Sequence, residues 1–153
     1  MLNIEKTRGE YRISTDKNQL QVDVIYQYLS EESYWAKDIP RSFVERSIEN
    51  SLCFGIYHGK EQVGFARVIT DFATFGYLAD VFVAVPHRKK GLSKWLMEVI
   101  LEHPDLSSLR RFMLATQDAH GLYKQFGFKG MEHPERLMGK IMPVSYTEMK
   151  KSL

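Results

Sequence analysis

The chain contains one cysteine, Cys53, among its 153 residues. A single thiol can form no internal disulfide and no cysteine metal site, so both kinds of covalent or metal staple are excluded. Cys53 lies in the apolar run LCFGIY, which favours a small core residue over a nucleophile. A chain of this length buries enough apolar surface to fold without such staples.

The sequence also has little net charge, +2 at pH 7. Nucleic acids and anionic membranes attract strongly basic surfaces, so we expect neither as a partner. No apolar run reaches the length of a membrane span, and the first residues lack the basic-then-apolar pattern of a secretion signal. We therefore expect a cytoplasmic protein. No metal site is predicted, because metal-ligand spacing is absent from His58, His87, His103 and His133.

Strand-like and helical patterns alternate along the chain and predict a mixed α/β fold. Strands are predicted over EYRIS, LCFGIYH, QVGFARVIT, YLADVFVAV and RRFMLAT, with LMGKIM as a final candidate. Helices are predicted after a cap at Asp16, from Pro40, from Leu92 until Pro104, and over DAHGLYKQF. The predicted order is βααβββαβαβ.

The stretch VPHRKKGLS concentrates positive charge between an apolar strand and an amphipathic helix. A helix N-terminus presents unpaired N–H groups and a partial positive charge, which favour phosphate binding. Gly91 lets a ligand approach the backbone closely, because no Cβ intervenes. The stretch suits a pyrophosphate, although a solvated helix cap is the simpler alternative. It is neither a P-loop nor a dinucleotide fingerprint, since both glycine patterns are absent.

This stretch resembles motif A of the GNAT superfamily of N-acetyltransferases, a strand followed by [RQ]-x-x-G-x-[GA] at a helix start. Those six positions are occupied by Arg88, Lys89, Lys90, Gly91, Leu92 and Ser93. Ser93 departs from the usual Gly or Ala, and Lys89 stands where Gly is common.

A second stretch, DAHGLYKQFGF, resembles the A-x-x-L-Y-x-x-x-G-F signature near the C-terminus of the same family. The matching residues are Ala119, Leu122, Tyr123, Gly127 and Phe128. Thr116 stands where the family often has Asn. The element order from residue 10 to about residue 142 also fits this topology, so we expect residues 1–153 to form a single GNAT domain.

The resemblance implies a central, mostly antiparallel sheet with splayed central strands, flanked by helices. Acetyl-CoA would insert its pantetheine arm between the strand that ends at Val85 and the strand RRFMLAT. Backbone groups near Phe82 and Val83 would pair with the pantetheine amides, and the six residues of motif A would hold the diphosphate. Tyr123 would donate a proton to the departing thiolate.

The acceptor amine must be uncharged to attack, so a general base is expected. Asp80 is the best candidate, because it interrupts the apolar run YLADVFVAV just before the implied thioester site. The alternative is that Asp80 pairs with Arg67 on the preceding strand. His120 is the runner-up as base, and it is equally consistent with a helix surface residue.

The segment EESYWAKDIPRSF lies between the first two predicted helices and would determine the choice of acceptor. Tyr34 and Trp35 are the predicted walls of an amine pocket, with Arg67 as a further substrate-binding residue. Alternatively, Trp35 packs the two helices against the sheet.

The sequence therefore predicts a monomer or homodimer that moves acetyl from acetyl-CoA to a primary amine by direct attack in a ternary complex. A non-catalytic acyl-CoA sensor or interaction module is the alternative. The sequence does not name the acceptor.

Overall fold

The computed structural model describes residues 2–152, in which six strands form one sheet of order β1-β2-β3-β4-β5-β6. Neighbouring strands are antiparallel from β1 to β5, whereas β5 and β6 are parallel. The strands are β1 Glu5–Arg8, β2 Tyr11–Ser14, β3 Leu52–His58, β4 Glu61–Thr70, β5 Phe75–Val83 and β6 Arg111–Leu114. Met1 and Leu153, the ends of the predicted domain, lie outside the described residues.

Helices cover both faces of this sheet. They are α1 Val22–Gln27, α2 Arg41–Glu49, α3 Leu92–Leu101, α4 His120–Lys124 and α5 Tyr146–Lys151. A π-helical turn, Tyr28–Glu32, continues α1. Side chains of α3 and α4 share one buried cluster with one face of the sheet, and those of α1 and α2 share a second cluster with the other face.

Strand β3 shows why the sheet lies at the centre of the molecule. Residues 52–57 are all buried, because alternate side chains enter the two clusters. Phe54 and Ile56 pack in the cluster that contains α3, whereas Cys53 packs in the cluster that contains α1 and α2. Burial raises the pKa of the Cys53 thiol to about 11, so it stays protonated and behaves as a small core residue.

The predicted mixed α/β architecture, with a mostly antiparallel sheet between helices, is confirmed. One strand escaped prediction: β1 pairs with β2, but all four of its side chains are exposed, so it carries no apolar alternation. Within residues 2–152, no helix is both long and apolar enough to cross a bilayer.

The predicted final strand, LMGKIM at residues 137–142, is wrong. These residues are irregular, and they expose Met138 and Ile141 almost completely. An apolar run indicates a strand only where a neighbouring strand pairs with it, and no pairing is formed here in the described chain. The chain continues into α5, which is fixed by the Thr147 hydroxyl donating to the Asp38 carboxylate at 2.7 Å.

His103 is a titratable residue buried in the core, with 1% of its surface exposed. Its Nδ1 accepts the Asp105 N–H at 3.1 Å, and its ring meets Phe54 edge to face. The accepting Nδ1 assigns the proton of the neutral ring to Nε2. Burial disfavours the charged imidazolium and lowers the pKa of His103.

We expect this histidine to make the protein less stable in mild acid. Its pKa is lower in the folded than in the unfolded chain, so stability is complete above the unfolded pKa of ~6.5 and falls as the pH drops towards the folded pKa. The change His103→Asn keeps an acceptor for the Asp105 N–H and removes the titration. Urea unfolding between about pH 7.5 and about pH 5 should show a smaller loss of stability for this variant.

The control is His120→Asn, because His120 is exposed. That variant should follow the wild-type pH dependence. An unchanged slope for His103→Asn would show that other groups cause the acid sensitivity.

Candidate functional site

A cleft opens where β5 and β6 part. The two strands pair from Phe75 opposite Arg111 to Leu78 opposite Leu114, and then the pairing ends. Strand β5 continues to Val83 with β4 as its partner on one side only. The space between β5 and the chain that follows β6 has a volume of about 950 Å³. The predicted splay of the central strands is therefore confirmed.

A β-bulge interrupts β5 inside this cleft. Ala79 lies opposite Arg67, but the next aligned pair is Phe82 opposite Phe65. Asp80 and Val81 consequently share the single position of Ala66, and Asp80 adopts a left-handed backbone with φ of 55°. A bulge disrupts the ladder and redirects the strand, so backbone groups at this point are released from β4.

Beyond the bulge, the backbone of β5 faces the cleft at alternate residues. The Ala84 N–H donates to the Val63 carbonyl at 2.8 Å, so the adjacent Val83 turns its own backbone groups away from β4. The Val83 carbonyl accepts Arg88 Nε at 2.9 Å. Phe82 turns its backbone towards β4 and reaches the cleft with its ring, which stacks on Tyr28 at 3.9 Å.

The N-terminus of α3 lies beside the cleft. Gly91 is the residue before the helix, with φ of 76°, and no side chain caps the first turn. The N–H groups of this turn have no partner within the helix and point to its open end. Ser93 lines the cleft and Leu92 is buried, whereas Lys89 and Lys90 are exposed.

Lys89 also has a left-handed backbone, with φ of 64°. This conformation explains why glycine is common at the position in related motifs, because only glycine adopts it without steric cost.

Arg88 is held by two intramolecular hydrogen bonds. Besides the Val83 carbonyl, it reaches the Tyr28 hydroxyl, which accepts Nη2 at 3.0 Å. Arg88 thus ties the start of α3 to β5 and to the end of α1. Sequence reasoning missed Tyr28, because its helical spacing with Val24 and Ile25 indicated an ordinary core position.

Tyr123 lies on α4 and lines the other wall of the cleft. Its side chain is 8% exposed and packs against Phe128, with ring centroids 6.1 Å apart. Burial is the main cause that raises the pKa of Tyr123, and Tyr34 and Asp118 raise it further. The phenol therefore keeps its proton at neutral pH.

The residues around Tyr123 explain its sequence motif. Gly127 has φ of 88° and lets the chain reverse after α4, so that the Phe128 N–H donates to the Tyr123 carbonyl. The Thr116 hydroxyl accepts the Ala119 N–H at 3.0 Å ahead of the helix. Asparagine at this position can cap in the same way, so threonine preserves the local structure.

Asp80 pairs with Arg67, the alternative that the sequence left open. Its Oδ2 accepts Arg67 Nε at 2.6 Å, and its Oδ1 accepts the Trp35 indole N–H at 2.8 Å. The Asp80 side chain is 9% exposed and the Arg67 side chain is 17% exposed. Arg67 also donates to the Ser51 hydroxyl at 3.2 Å. Both carboxylate oxygens are thus engaged, whereas the other candidate base, His120, is exposed and lies outside the cleft lining.

Tyr34 and Trp35 form a roof over the cleft. Tyr34 is 55% exposed and Trp35 is 41% exposed, and their rings meet edge to face at 5.0 Å. The Tyr34 hydroxyl accepts the Gln117 N–H at 3.1 Å, so the roof reaches the loop after β6. The Trp35 indole donates to Asp80 on β5. Both predicted wall residues therefore lie at the cleft, and each is fixed by a hydrogen bond.

Further lining residues were not predicted. Polar and aromatic ones among them are Glu32, Tyr77, Gln117, Asp118 and Tyr146. Tyr146 arrives from α5, far away in sequence, and no local pattern indicates that contact. Among the described residues, no three side chains of the metal-binding types come together into a metal site.

The site as a whole is a cleft between parted strands, with an open helix N-terminus beside it and a protonated tyrosine in its wall. Such a site suits an extended, phosphate-bearing acyl carrier. A model of the Acetyltransferase (GNAT) family matches residues 22–128, which include both motifs. The chain belongs to the GNAT acetyltransferase family, whose members use acetyl-CoA.

Individual relatives agree with this assignment. A Gibberella zeae protein named "Putative acetyltransferase FG08082" is 35% identical over 164 aligned positions, covering 91% of this chain and 93% of the relative. A crystal structure of a Xanthomonas campestris protein, described as a putative acetyltransferase of the GNAT family, is 51% identical. It superposes with a TM-score of 0.85, over 87% of this chain and 94% of that one.

A more distant structure is described as an acetyltransferase with acetyl-CoA. It is a predicted acetyltransferase from Clostridium acetobutylicum, 16% identical, with a TM-score of 0.60 over 80% of this chain and 90% of that one. At this identity the likeness shows the fold alone.

The engaged carboxylate of Asp80 leads to a prediction about the variant Asp80→Asn. We expect unfolding to become easier by about 3 kcal/mol, because the partly buried Arg67 guanidinium loses its counter-charge. We expect the acidic limb of the pH–rate profile to remain. Thermal or urea unfolding and kcat/KM against pH measure the two effects separately.

The control is Glu45→Gln, which removes a charge from the exposed Arg41–Glu45 pair and should change stability by no more than about 0.5 kcal/mol. Loss of the acidic limb in Asp80→Asn, without a loss of stability, would instead identify Asp80 as the base.

Proposed function

We propose that the protein transfers the acetyl group of acetyl-CoA to the primary amine of a small molecule or peptide, by direct attack in a ternary complex. The observation that carries the proposal is the cleft edge of β5. The bulge at Asp80 and the backbone of Val83 face the cleft, between the start of α3 and Tyr123. We further infer that residues 1–153 act as one cytoplasmic domain, as a monomer or homodimer.

The residues present fit the cofactor. The uncapped first turn of α3 offers N–H donors to a diphosphate, and open space surrounds the position where Gly91 would carry a Cβ. Arg88, Lys89 and Lys90 add positive charge at the same place. Along β5, the Val83 N–H faces the cleft and is suited to donate to a carbonyl of the pantetheine arm, since the Val83 carbonyl already accepts Arg88 Nε.

Tyr123 is suited to act as the general acid. When bound, acetyl-CoA supplies a thioester whose C–S bond breaks as the amine nitrogen forms the amide bond. A thiol has a pKa of ~8.5 and a phenol one of ~10, which burial raises further for Tyr123. The phenol therefore still carries the proton that the departing sulfur takes up.

Released backbone groups at the bulge offer a place to polarise the acyl oxygen. The strand on both sides of the bulge is fixed by pairing with β4, so a backbone N–H at the bulge needs no reorganisation during the reaction. This is the condition for efficient stabilisation of the negative charge that develops on the acyl oxygen. Because Asp80 is engaged by Arg67 and Trp35, we propose that water carries the proton of the attacking amine away from the site. Asp80 then acts by fixing the roof and the bulge.

Binding of acetyl-CoA can be tested through stability. A ligand at 100 times its Kd stabilises the folded state by ~2.7 kcal/mol, which corresponds to a rise in Tm of about 5–10 °C for a chain of this size. We expect this rise for the wild type in differential scanning calorimetry. Gly91→Ala should abolish it, because the new Cβ would enter the open space in which we propose that the diphosphate lies.

The matched control is Gly59→Ala in the β3–β4 hairpin. Gly59 has φ of 61° and an equally open Cβ position, so both variants carry similar backbone strain. Only Gly91→Ala should lose the response to acetyl-CoA. A wild type that folds and shows no response would refute the proposed cofactor.

The role of Tyr123 can be tested by removing its hydroxyl alone. In Tyr123→Phe the ring still packs on Phe128, so we expect unchanged acetyl-CoA binding and a kcat lower by about tenfold to a thousandfold. Because the pKa of Tyr123 is raised, loss of its proton should lower the wild-type kcat only above about pH 10.

The control is Tyr57→Phe, which removes a buried hydroxyl that has no hydrogen-bond partner among the described residues and lies outside the cleft lining. Its kcat should equal that of the wild type. An equally unchanged kcat for Tyr123→Phe would assign Tyr123 to packing.

A further inference from the structure

The cleft is lined by several aromatic side chains, and we infer that the acceptor enters beneath the two that form its roof. Tyr34 and Trp35 form its roof, and Tyr28, Tyr77 and Tyr146 also line it. Large aromatic faces that remain exposed at the mouth of a cleft are suited to a planar apolar group, because its burial releases water from both surfaces.

These aromatic walls are held in place before any ligand binds. The Trp35 indole is fixed by Asp80, which is itself fixed by Arg67, and the Tyr34 hydroxyl is fixed by the Gln117 N–H. Side chains that are ordered in advance lose less conformational entropy on binding, so their contacts contribute more to affinity. The roof is thus a preorganised surface.

The charged lining residues that have no ion-pair partner among the described residues are mainly negative. The charged residues that line the cleft are Glu32, Arg67, Asp80, Arg88 and Asp118. Arg67 is neutralised by Asp80, and Arg88 lies on the cofactor side, where it donates to the Val83 carbonyl and the Tyr28 hydroxyl.

Glu32 and Asp118 are exposed, and neither forms an ion pair with another described residue. They lie close in sequence to the two residues that close the roof. Glu32 is two residues before Tyr34, and Asp118 directly follows Gln117. Asp118 is also near enough to Tyr123 to raise the pKa of its phenol. Two free carboxylates beside the roof attract a cation and repel an anion.

From this arrangement we propose that the acceptor is a small amine that carries one positive charge, no negative charge and a planar apolar group, such as an arylalkylamine. The inference rests on the proposed acetyl transfer and specifies its acceptor. The aromatic roof holds the planar group, and Glu32 and Asp118 attract the ammonium before it loses its proton. An amine with a carboxylate or phosphate is disfavoured, because both lining guanidinium groups already have internal partners.

Three amines test the proposal. 2-Phenylethylamine has the ring and the single charge, L-phenylalanine adds a carboxylate, and isoamylamine replaces the ring by a branched alkyl group. We expect kcat/KM for 2-phenylethylamine to exceed that for each of the others by at least about tenfold, since like charges and lost stacking each disfavour binding. A preference for L-phenylalanine or isoamylamine would overturn the proposal and leave acetyl transfer intact.

Variants assign the selectivity to the named residues. Trp35→Ala should remove the preference for 2-phenylethylamine over isoamylamine. Glu32→Gln should lower kcat/KM for 2-phenylethylamine several-fold and weaken its dependence on salt, because exposed charges are screened. Glu31→Gln is the matched control: it is the adjacent exposed carboxylate, and it lies outside the cleft lining. Equal effects of the two glutamine variants would contradict a local role for Glu32.

Binding is measured separately from turnover, by the quenching of Trp35 fluorescence in the presence of CoA. The variant Trp35→Phe gives the signal of the other tryptophan, the buried Trp95, which is subtracted. Quenching by 2-phenylethylamine without turnover of any amine would support the acceptor class and count against acetyl transfer. No quenching and no turnover, in protein that binds acetyl-CoA, would overturn both.

Discussion

The cleft depends on one constraint, the end of pairing between β5 and β6 after Leu78 and Leu114. A strand with only one partner presents backbone donors and acceptors on its other side, and these must find partners or remain in water. Here the bulge at Asp80 and the backbone of Val83, which is turned away from β4, place those groups at a cleft. The rest of the site is arranged around this free edge.

Hydrogen bonds join the roof to both sides of the cleft. Trp35 contacts β5 through Asp80, and Tyr34 contacts the loop after β6 through Gln117. The segment that carries the two aromatic residues therefore bridges both sides of the gap. This arrangement relates the distance between the parted strands to the shape of the space beneath the roof, so the proposed cofactor and acceptor sites would share the same supporting contacts.

Much of this organisation follows from local sequence. A short run of consecutive residues was enough to predict motif A, the tyrosine motif and the buried strands. Asp80 interrupts an apolar run, and this interruption marked the position where the structure has a β-bulge. Contacts between distant segments escaped prediction, among them Tyr146 from α5 at the cleft. The failed strand at residues 137–142 has the same cause, because an apolar run does not state whether a partner strand is present.

The parallel pairing of β5 with β6 also has a kinetic consequence. Strands β1 to β5 pair antiparallel, each with the next, whereas β6 reaches β5 only after a crossover that contains α3. Closing a long connection costs chain entropy before its contacts form, so the pairing of β5 with β6, like that of β2 with β3, is expected after the hairpins β1–β2, β3–β4 and β4–β5. As a four-residue edge strand, β6 would also separate early during partial unfolding. The cleft would then be lost while the antiparallel part of the sheet persists.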